Sequence, residues 1–193
     1  MNSLLTLLEP YVQPEPEILH QISTVLRKAI YSKGSILLQP GDIADKIYFV
    51  KAGVLREFFI REQTGEELTT QIVTENTFFY STLSFLSVAP SNRIVEVLED
   101  CVLITLKKDD LEYWCSKIPG LEHFTRNMLE QALIRAEKRT ELLRLRKPEE
   151  RLEVFERLHP ELRNRIPLGY IASFLNITPQ TLSKVRRGRG ARG

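Results

Sequence analysis

The hydrophobic pattern changes its period near residue 33, and this change constrains the fold more than any other feature of the sequence. Between Lys33 and Lys107 the chain consists of short runs of apolar, β-branched and aromatic residues, separated by turn residues. The breaks contain glycines at positions 34, 41, 53 and 65, and glycine suits turns that need a positive φ. Short runs with regular turn signals predict an antiparallel barrel or sandwich. The predicted strands are SILLQ, KIYFV, VLREFFI, ELTTQIV, RIVEVLE and CVLITL.

Helical patterns stand on both sides of this strand region. Residues 1–30 are predicted to be helical, because four apolar residues recur at every fourth position, namely Ile18, Ile22, Leu26 and Ile30. After the strands, Asp109 is predicted to cap a helix, with Glu112 three residues later. A longer helix is predicted from Leu121 to Leu145, where there is no glycine or proline.

The long helix carries an apolar seam. Its members are spaced by steps of four and three residues, as in a short coiled coil, and they are Leu129, Leu133, Ala136, Thr140 and Leu143. We expect this seam to pair with a second copy of the chain, because a lone helix would leave it exposed to water. The alternative is that the same face packs on the strand domain.

The last 50 residues predict three shorter helices. Pro148 fits the first position of PEERLEVFERLH, and Pro167 is predicted to start the next helix. A tight turn at Asn176-Ile177 follows, and then Thr178 is a natural N-cap before Pro179. Two short helices joined by a tight turn, the second of them polar on its outer side, are typical of a helix-turn-helix. The alternative is a pair of helices that only pack against the rest of the chain.

The charge distribution agrees with a nucleic-acid partner at this end. The net charge is +2, yet residues 141–193 hold 12 lysines and arginines against 6 acidic residues. A basic end on a mildly acidic body suggests contact with a polyanion. Because side chains on a helix in the major groove reach base edges, we expect base contacts from Gln180, Ser183 and Lys184. We expect phosphate contacts from Thr178, Thr181, Arg186 and Arg187, followed by a flexible cationic tail, RRGRGARG.

The order of these parts resembles the CRP/FNR family of bacterial transcription regulators. The resemblance extends from about Ile30 to Arg187, and it is most specific in KGSILLQPGDIADKIYFVKAGVLREF and in ITPQTLSKV. It implies an α+β fold with a jelly-roll-like antiparallel β-roll that senses an effector, a long dimerisation helix and a small helix-turn-helix. The segments would be 1–118 with the N-terminal helix, 119–146 and 147–193. It also implies a homodimer on double-stranded DNA, with the usual β-hairpin wing truncated to RGRGARG.

The stretch that departs from this family is the nucleotide cassette. Members that bind cyclic nucleotides carry Gly-Glu-Leu there and, about ten residues later, an arginine beside a small residue. In this chain Ser81 and Thr82 stand near the Gly-Glu place, and Ser91 stands where the arginine would be. Arg93 lies two residues late, on the same face of a strand. We therefore expect that cAMP is not the effector, and that an unidentified small molecule, if there is one, lies near Tyr80, Ser81, Thr82, Ser91, Asn92 and Arg93. Plain packing of the β-roll is the alternative for these six residues.

Other classes of function have little support in the sequence. The two cysteines, Cys101 and Cys115, have no ligand spacing, and the three histidines are scattered, so we expect no metal site, iron–sulfur cluster or haem. No nucleophile–base pair or phosphate loop points to an enzyme. Because we find no membrane span or signal peptide, we expect a cytoplasmic protein. The rival hypothesis is a ligand-binding or protein-interaction module that does not bind DNA.

Overall fold

The computed structural model describes residues 16–162 and 164–190, which fall into two compact units. The first unit runs to Arg56 and continues from Val73 to Ala132. The second comprises Glu57–Ile72 together with the chain from Leu133 onward. The second unit therefore combines a short hairpin segment with the C-terminal helices. The segment limits expected from the sequence stay a prediction.

In the described part of the chain, eight strands form two antiparallel sheets of four. The strand order is β1-β8-β3-β6 in one sheet and β2-β7-β4-β5 in the other. All six strands expected from the sequence are present, and the structure adds β1 and β6, which the sequence did not reveal. The strands are β1 (Arg27–Tyr31), β2 (Ile36–Leu38), β3 (Lys46–Ala52), β4 (Leu55–Ile60), β5 (Glu67–Val73), β6 (Thr77–Phe79), β7 (Ile94–Val97) and β8 (Cys101–Lys107).

One glycine of the β-roll is required by close packing as well as by its backbone. Gly53 joins β3 to β4 with a φ of +101°. A Cβ atom there would clash with the sulfur of Cys101 and would lie 2.9 Å from the carbonyl oxygen of Asp100. Since a side chain would meet both the clash and the strained backbone, only glycine suits this turn.

The core of the first unit lies between the strands of both sheets. Burial alternates along β7, where Val95 and Val97 are buried and Ile94 and Glu96 are partly exposed, whereas β3 and β4 each bury four consecutive residues. The fully buried side chains of this core include Val50, Leu55 and Leu103.

Among the described residues, four helices accompany the strands of the first unit, and three of them differ from the sequence-based expectation, which did not include the second. They are α1 (Pro16–Val25), α2 (Thr82–Ser87), α3 (Lys108–Lys117) and the first part of α4 (Leu121–Arg144). The prediction that helix continues to Ile30 was wrong, because Ile30 lies in β1 and pairs with Val102 of β8. Asp109 was also wrongly expected to be an N-cap, since Lys107 caps α3 and Asp109 lies in its first turn. The part of the predicted N-terminal helix before residue 16 lies outside the described residues.

The second unit is built from helices around a small apolar core. After the second part of α4 come α5 (Pro148–Leu158), a 3₁₀ turn (Pro160–Leu162), α6 (Leu168–Phe174) and α7 (Pro179–Gly190). The predicted long helix is confirmed to within one residue at its C-terminal end. Pro148 occupies the start of α5 as expected. Four of the core side chains have no exposed surface, namely Leu152, Leu162, Leu175 and Leu182.

Candidate nucleic-acid interface and effector cavity

Helix α7 begins with the cap that its sequence predicted. The Thr178 hydroxyl oxygen accepts a hydrogen bond of 3.1 Å from the backbone N–H of Thr181. Pro179 is the first residue of the helix, where its missing N–H costs nothing. The hydroxyls of Thr178 and Thr181 lie 2.9 Å apart and share a hydrogen bond. Both threonines therefore organise the N-terminus of α7, the end at which backbone N–H groups are available to an anion.

The two faces of α7 differ sharply. Leu182 and Val185 are buried against the neighbouring helices. Gln180, Lys184 and Arg187 are exposed, and steps of four and three residues place them along one side of the helix. The structure thus brings together three of the residues expected to contact DNA, on a side that no described residue of the unit covers.

The remaining residues expected at this interface lie at its border. Ser183 and Thr181 are half-buried. The Arg186 side chain leans back toward α5, where its Nη2 lies 3.8 Å from the Glu156 carboxylate. The helix also continues through Gly188 to Gly190, although a flexible segment was expected there. The end of the expected tail, residues 191–193, lies outside the described residues.

The turn between α6 and α7 is a tight helix stop. Asn176 takes a left-handed conformation with a φ of +52°, which asparagine tolerates better than most residues. The N–H of Ile177 donates to the carbonyl of Ala172 at 3.0 Å, and the N–H of Asn176 donates to the carbonyl of Ser173 at 3.1 Å. This pair of bonds forms a Schellman motif, which ends α6 and turns the chain into α7.

Arg151 ties this turn to the end of the long helix, and sequence analysis did not identify it. Its Nε donates to the carbonyl of Leu145 at 2.8 Å, just after α4 ends. Its Nη1 donates to the carbonyls of Leu175 at 3.0 Å and Asn176 at 3.3 Å. One guanidinium therefore satisfies carbonyls on both sides of the link between α4 and the helix-turn-helix. No sequence signal distinguishes Arg151 from the other arginines of the C-terminal region.

His159 lies in an aromatic cluster with one ring from α5 and one from α6. The His159 ring lies between Phe155 and Phe174, at centroid distances of 5.1 Å and 6.1 Å. Burial lowers the pKa of His159 from 6.5, although Glu161, whose carboxylate is 3.6 Å from Nδ1, acts in the opposite direction. The structure therefore favours the neutral imidazole, because its surroundings are mostly apolar.

The first unit contains a polar cavity of about 260 Å³ beside the start of α2. Ser81 lines it, and it is the only one of the six expected effector residues to do so. Tyr80 and Ser91 are buried, Arg93 is half-buried, and Thr82 and Asn92 are exposed. The Ser91 hydroxyl accepts a hydrogen bond of 2.9 Å from the N–H of Arg93. For these other five residues the expected role stays a prediction.

The wall of this cavity comes largely from the loop between β2 and β3, which sequence analysis did not assign to a site. Asp42 and Asp45 contribute from that loop, and Lys46 and Tyr48 contribute from β3. Asp45 forms an exposed ion pair of 3.8 Å with Lys46. The pKa of Tyr48 is raised, first by burial and then by Tyr31 and Asp45, so its phenol stays protonated. Two carboxylates against one ammonium make this cavity a poor site for a phosphate.

The seam of α4 presents several apolar residues to solvent in the single chain. Leu133 has 69% of its surface exposed, and the neighbouring Ile134 is also exposed. Ala136 and Thr140 are exposed, Leu143 is half-buried, and Leu129 packs partly against the core of the first unit. Leu133, Ala136 and Thr140 thus have little cover from the described residues of their own chain, whereas Leu129 and Leu143 are partly covered.

Two further observations concern the described residues alone. None of their helices is both long and apolar enough to cross a bilayer. Their histidines, cysteines and carboxylates form no cluster of three or more that could hold a metal ion.

Comparison with known proteins matches the strand region to a recognised domain family. Residues 28–118 match the family model of the cyclic nucleotide-binding domain. Over 110 residues the chain is 29% identical to the potassium channel SKOR of Arabidopsis thaliana. That match covers 53% of this chain but only 13% of the channel, so the similarity concerns one domain of a much longer protein.

A second group of matches includes the C-terminal helices. The chain is 23% identical over 187 residues to the fumarate and nitrate reduction regulatory protein of Yersinia pestis, which covers 91% of this chain and 74% of the regulator. The solved structure of FixK2 from Bradyrhizobium japonicum matches with a TM-score of 0.75 at 18% identity, over 88% of this chain and 86% of FixK2. At that identity the structural match shows the fold, and the order of β-roll, long helix and helix-turn-helix agrees with it. The chain thus contains a match to the cyclic nucleotide-binding domain, and over most of its length it is similar to a regulatory protein and to the fold of FixK2.

Proposed function

We propose that the protein is a homodimeric, DNA-binding transcription regulator. The observation that carries this proposal is helix α7, with Leu182 and Val185 buried and Gln180, Lys184 and Arg187 exposed along one side. A helix of this kind fits the major groove, where amide and ammonium groups reach base edges. The proposal is supported by the excess of cationic residues between 141 and 193 and by the regulators among the relatives.

The residues of the interface divide into two roles. Gln180, Ser183 and Lys184 read base edges, whereas Thr178, Thr181, Arg186 and Arg187 hold phosphates. The ion pair of Arg186 with Glu156 is long and partly exposed, so it is weak enough to be exchanged for a phosphate. Two copies present this surface, because the seam of α4 pairs with the same seam of a partner.

Effector control acts on the dimer as a shift between two populations. A small molecule in the β-roll favours one arrangement of the long helices and thereby the separation of the two recognition helices. Cyclic AMP is not that molecule, because Asp42 and Asp45 would face its phosphate in the cavity. The cavity lacks the glycine and glutamate with which related domains hold a cyclic nucleotide.

The proposal is tested by binding to promoter DNA as the salt concentration rises. The two arginines in each of two copies predict a slope of about −4 for log K against log salt. Lys184→Ala is expected to cost about 1–3 kcal/mol on the preferred site and little on random DNA. Arg187→Ala is the matched variant, and it is expected to weaken both kinds of binding and to make the salt slope shallower.

The results that contradict the proposal are equally specific. A dimer without measurable affinity for DNA at low salt supports an interaction module instead. Equal losses on preferred and random DNA for Lys184→Ala would show that Lys184 contacts phosphate and not bases.

A further inference from the structure

Strand β5 is an edge strand whose outer backbone groups are occupied by side chains of the helical part of the same unit. β5 is the last strand of its sheet, and such an edge normally leaves a row of N–H and C=O groups unpaired. Here the N–H of Thr69 donates to the Ser173 hydroxyl at 2.9 Å. The same hydroxyl donates to the carbonyl of Glu67 at 2.6 Å. Ser173 thus bonds the strand edge as a neighbouring strand would.

Arg139 completes this contact from the long helix. Its Nη2 donates to the carbonyl of Thr69 at 2.8 Å, and its guanidinium lies 5.0 Å from the centroid of the Phe174 ring. Thr69 has no exposed surface, so water cannot replace a bond that its amide or carbonyl loses. The residues of this contact are Glu67, Thr69, Arg139, Ser173 and Phe174. They belong to three separate stretches of chain, and all lie in the second unit.

The position of Ser173 in α6 gives this contact a consequence for α7. α6 ends at Phe174, and only the Schellman turn separates it from the recognition helix. Any motion of α6 relative to the β5 edge therefore carries α7 with it. A helix held in one orientation loses less freedom when it binds DNA, so holding α6 favours association.

We propose that Ser173 and Arg139 are positioning residues that fix the helix-turn-helix to the β4–β5 hairpin and so pre-organise α7 for DNA. This inference rests on the proposed DNA-binding function, and it adds a direct link between a hairpin of the β-roll and the DNA-reading helix. The hydroxyl of Ser173 is the central group, because it serves as acceptor and donor at once.

The test compares Ser173→Ala with Ser173→Thr in the full-length dimer. Ser173→Ala removes the acceptor of the Thr69 amide, so amide hydrogen exchange at Thr69 is expected to become about tenfold faster or more. Affinity for the preferred DNA site is expected to fall about 3- to 10-fold, the size of one or two ordinary hydrogen bonds. Ser173→Thr keeps the hydroxyl and is expected to retain both properties.

A matched control removes a hydroxyl elsewhere. The exposed Ser116 hydroxyl only bonds the carbonyl of Tyr113 in its own helix, at 2.6 Å, so Ser116→Ala should change neither the Thr69 amide nor DNA affinity. Arg139→Lys provides a second approach to the contact, since it keeps the charge but loses the planar group that lies over Phe174. It is expected to weaken DNA binding while the Thr69 amide stays protected by Ser173.

Each outcome has one meaning. If the Thr69 amide is as protected in Ser173→Ala as in the wild type, the hydroxyl is not its acceptor and the inference fails. If the amide is exposed but DNA affinity is unchanged or higher, the contact does not position α7 for binding and the inference also fails. If the wild type itself does not bind DNA, the proposed function fails, whereas faster exchange at Thr69 would still establish the hairpin contact.

Discussion

The helix-turn-helix and the candidate effector cavity differ in how far apart their residues lie in the sequence. The reading helix is local, because its cap, its buried side and its exposed side all lie between Thr178 and Arg187. The cavity is assembled from distant stretches, with Asp42 and Asp45 from one loop, Ser81 from the start of α2, and Val95 from β7. A short stretch of sequence therefore determines the residues of the proposed DNA-binding side, whereas no single stretch determines the residues that line the cavity.

This difference teaches which part of a family resemblance transfers to a new chain. The pattern Thr-Pro-Gln at the start of α7 fixes local geometry through capping, so that geometry follows wherever the pattern occurs. Binding of a cyclic nucleotide needs glycine, glutamate and arginine in particular places, and Ser81, Thr82 and Ser91 stand there instead. The β-roll can thus keep its fold while its cavity takes a different ligand.

The strongest test of the DNA-binding side is to separate the two copies. Leu133→Lys places an ammonium group in the seam, and association of the two helices would bury it. Burying a charge without an opposite charge from the partner helix costs at least ~3 kcal/mol. Dimer association should fall about a hundredfold or more, and affinity for a two-half-site operator should fall with it. Sedimentation and operator binding measure the two effects.

Leu133→Lys is chosen because it should not unfold the helix. Glu130 and Glu137 lie three residues before and four residues after position 133 on α4, so a lysine there gains favourable pairs within the single chain. Ile30→Lys is the control, since Ile30 is 77% exposed on β1 and is not a member of the seam. A Leu133→Lys protein that remains dimeric would show that α4 is not the pairing surface.

The cavity is tested by asking whether a cassette restores a nucleotide site once the two carboxylates are neutralised. At about 1 mM cAMP the wild type should show no rise in Tm. The combined variant Ser81→Gly, Thr82→Glu and Ser91→Arg keeps the two carboxylates, so we expect it to need Asp42→Asn and Asp45→Asn as well. That five-site variant should gain about 3–6 °C if it binds cAMP with a Kd near 0.1 mM. Adenosine, which lacks the phosphate, is the control ligand and should stabilise neither protein. Stabilisation of the wild type by cAMP would contradict the proposal that Asp42 and Asp45 exclude it.

The sequence predicted the regular elements well, and it failed where the answer depends on contacts between distant residues. Six strands were recognisable as short β-rich runs between turn residues, and the long helix as a run of helix-forming residues without glycine or proline. Ile30 was assigned to a helix because of its four-residue spacing, whereas in the fold it pairs with Val102. The sequence did not identify Asp42 and Asp45 as cavity residues, because their loop lies beside Ser81 only in the folded β-roll. Arg139, Arg151 and Ser173 are likewise ordinary in sequence, and only their partners distinguish them.

The smallest expected effect is a dependence of folding stability on pH, and we expect it in the second unit, which contains His159. His159 has a pKa below 6.5 in the folded chain because its ring is buried between Phe155 and Phe174. Between that lowered pKa and 6.5 the unfolded chain binds a proton that the folded chain does not, so stability falls as the pH falls through this window. Above 6.5 the contribution of His159 is complete, and below the folded pKa it is lost.

The part of the pH dependence that is due to His159 should be found in the C-terminal helices, and it should disappear when the imidazole is replaced. His159→Phe keeps an aromatic ring between Phe155 and Phe174, so the unfolding free energy of the second unit should lose part of its fall below pH 6.5. His123→Phe is the control, because it makes the same substitution at an exposed position in the first part of α4, outside the aromatic cluster. Chemical unfolding at pH 5.5 and 7.5, followed by amide exchange in α5 and α6, measures the difference. An equal loss of stability at low pH in the wild type and in His159→Phe would assign the effect to carboxylates of the unit, and the neutral imidazole would then contribute nothing to holding α6.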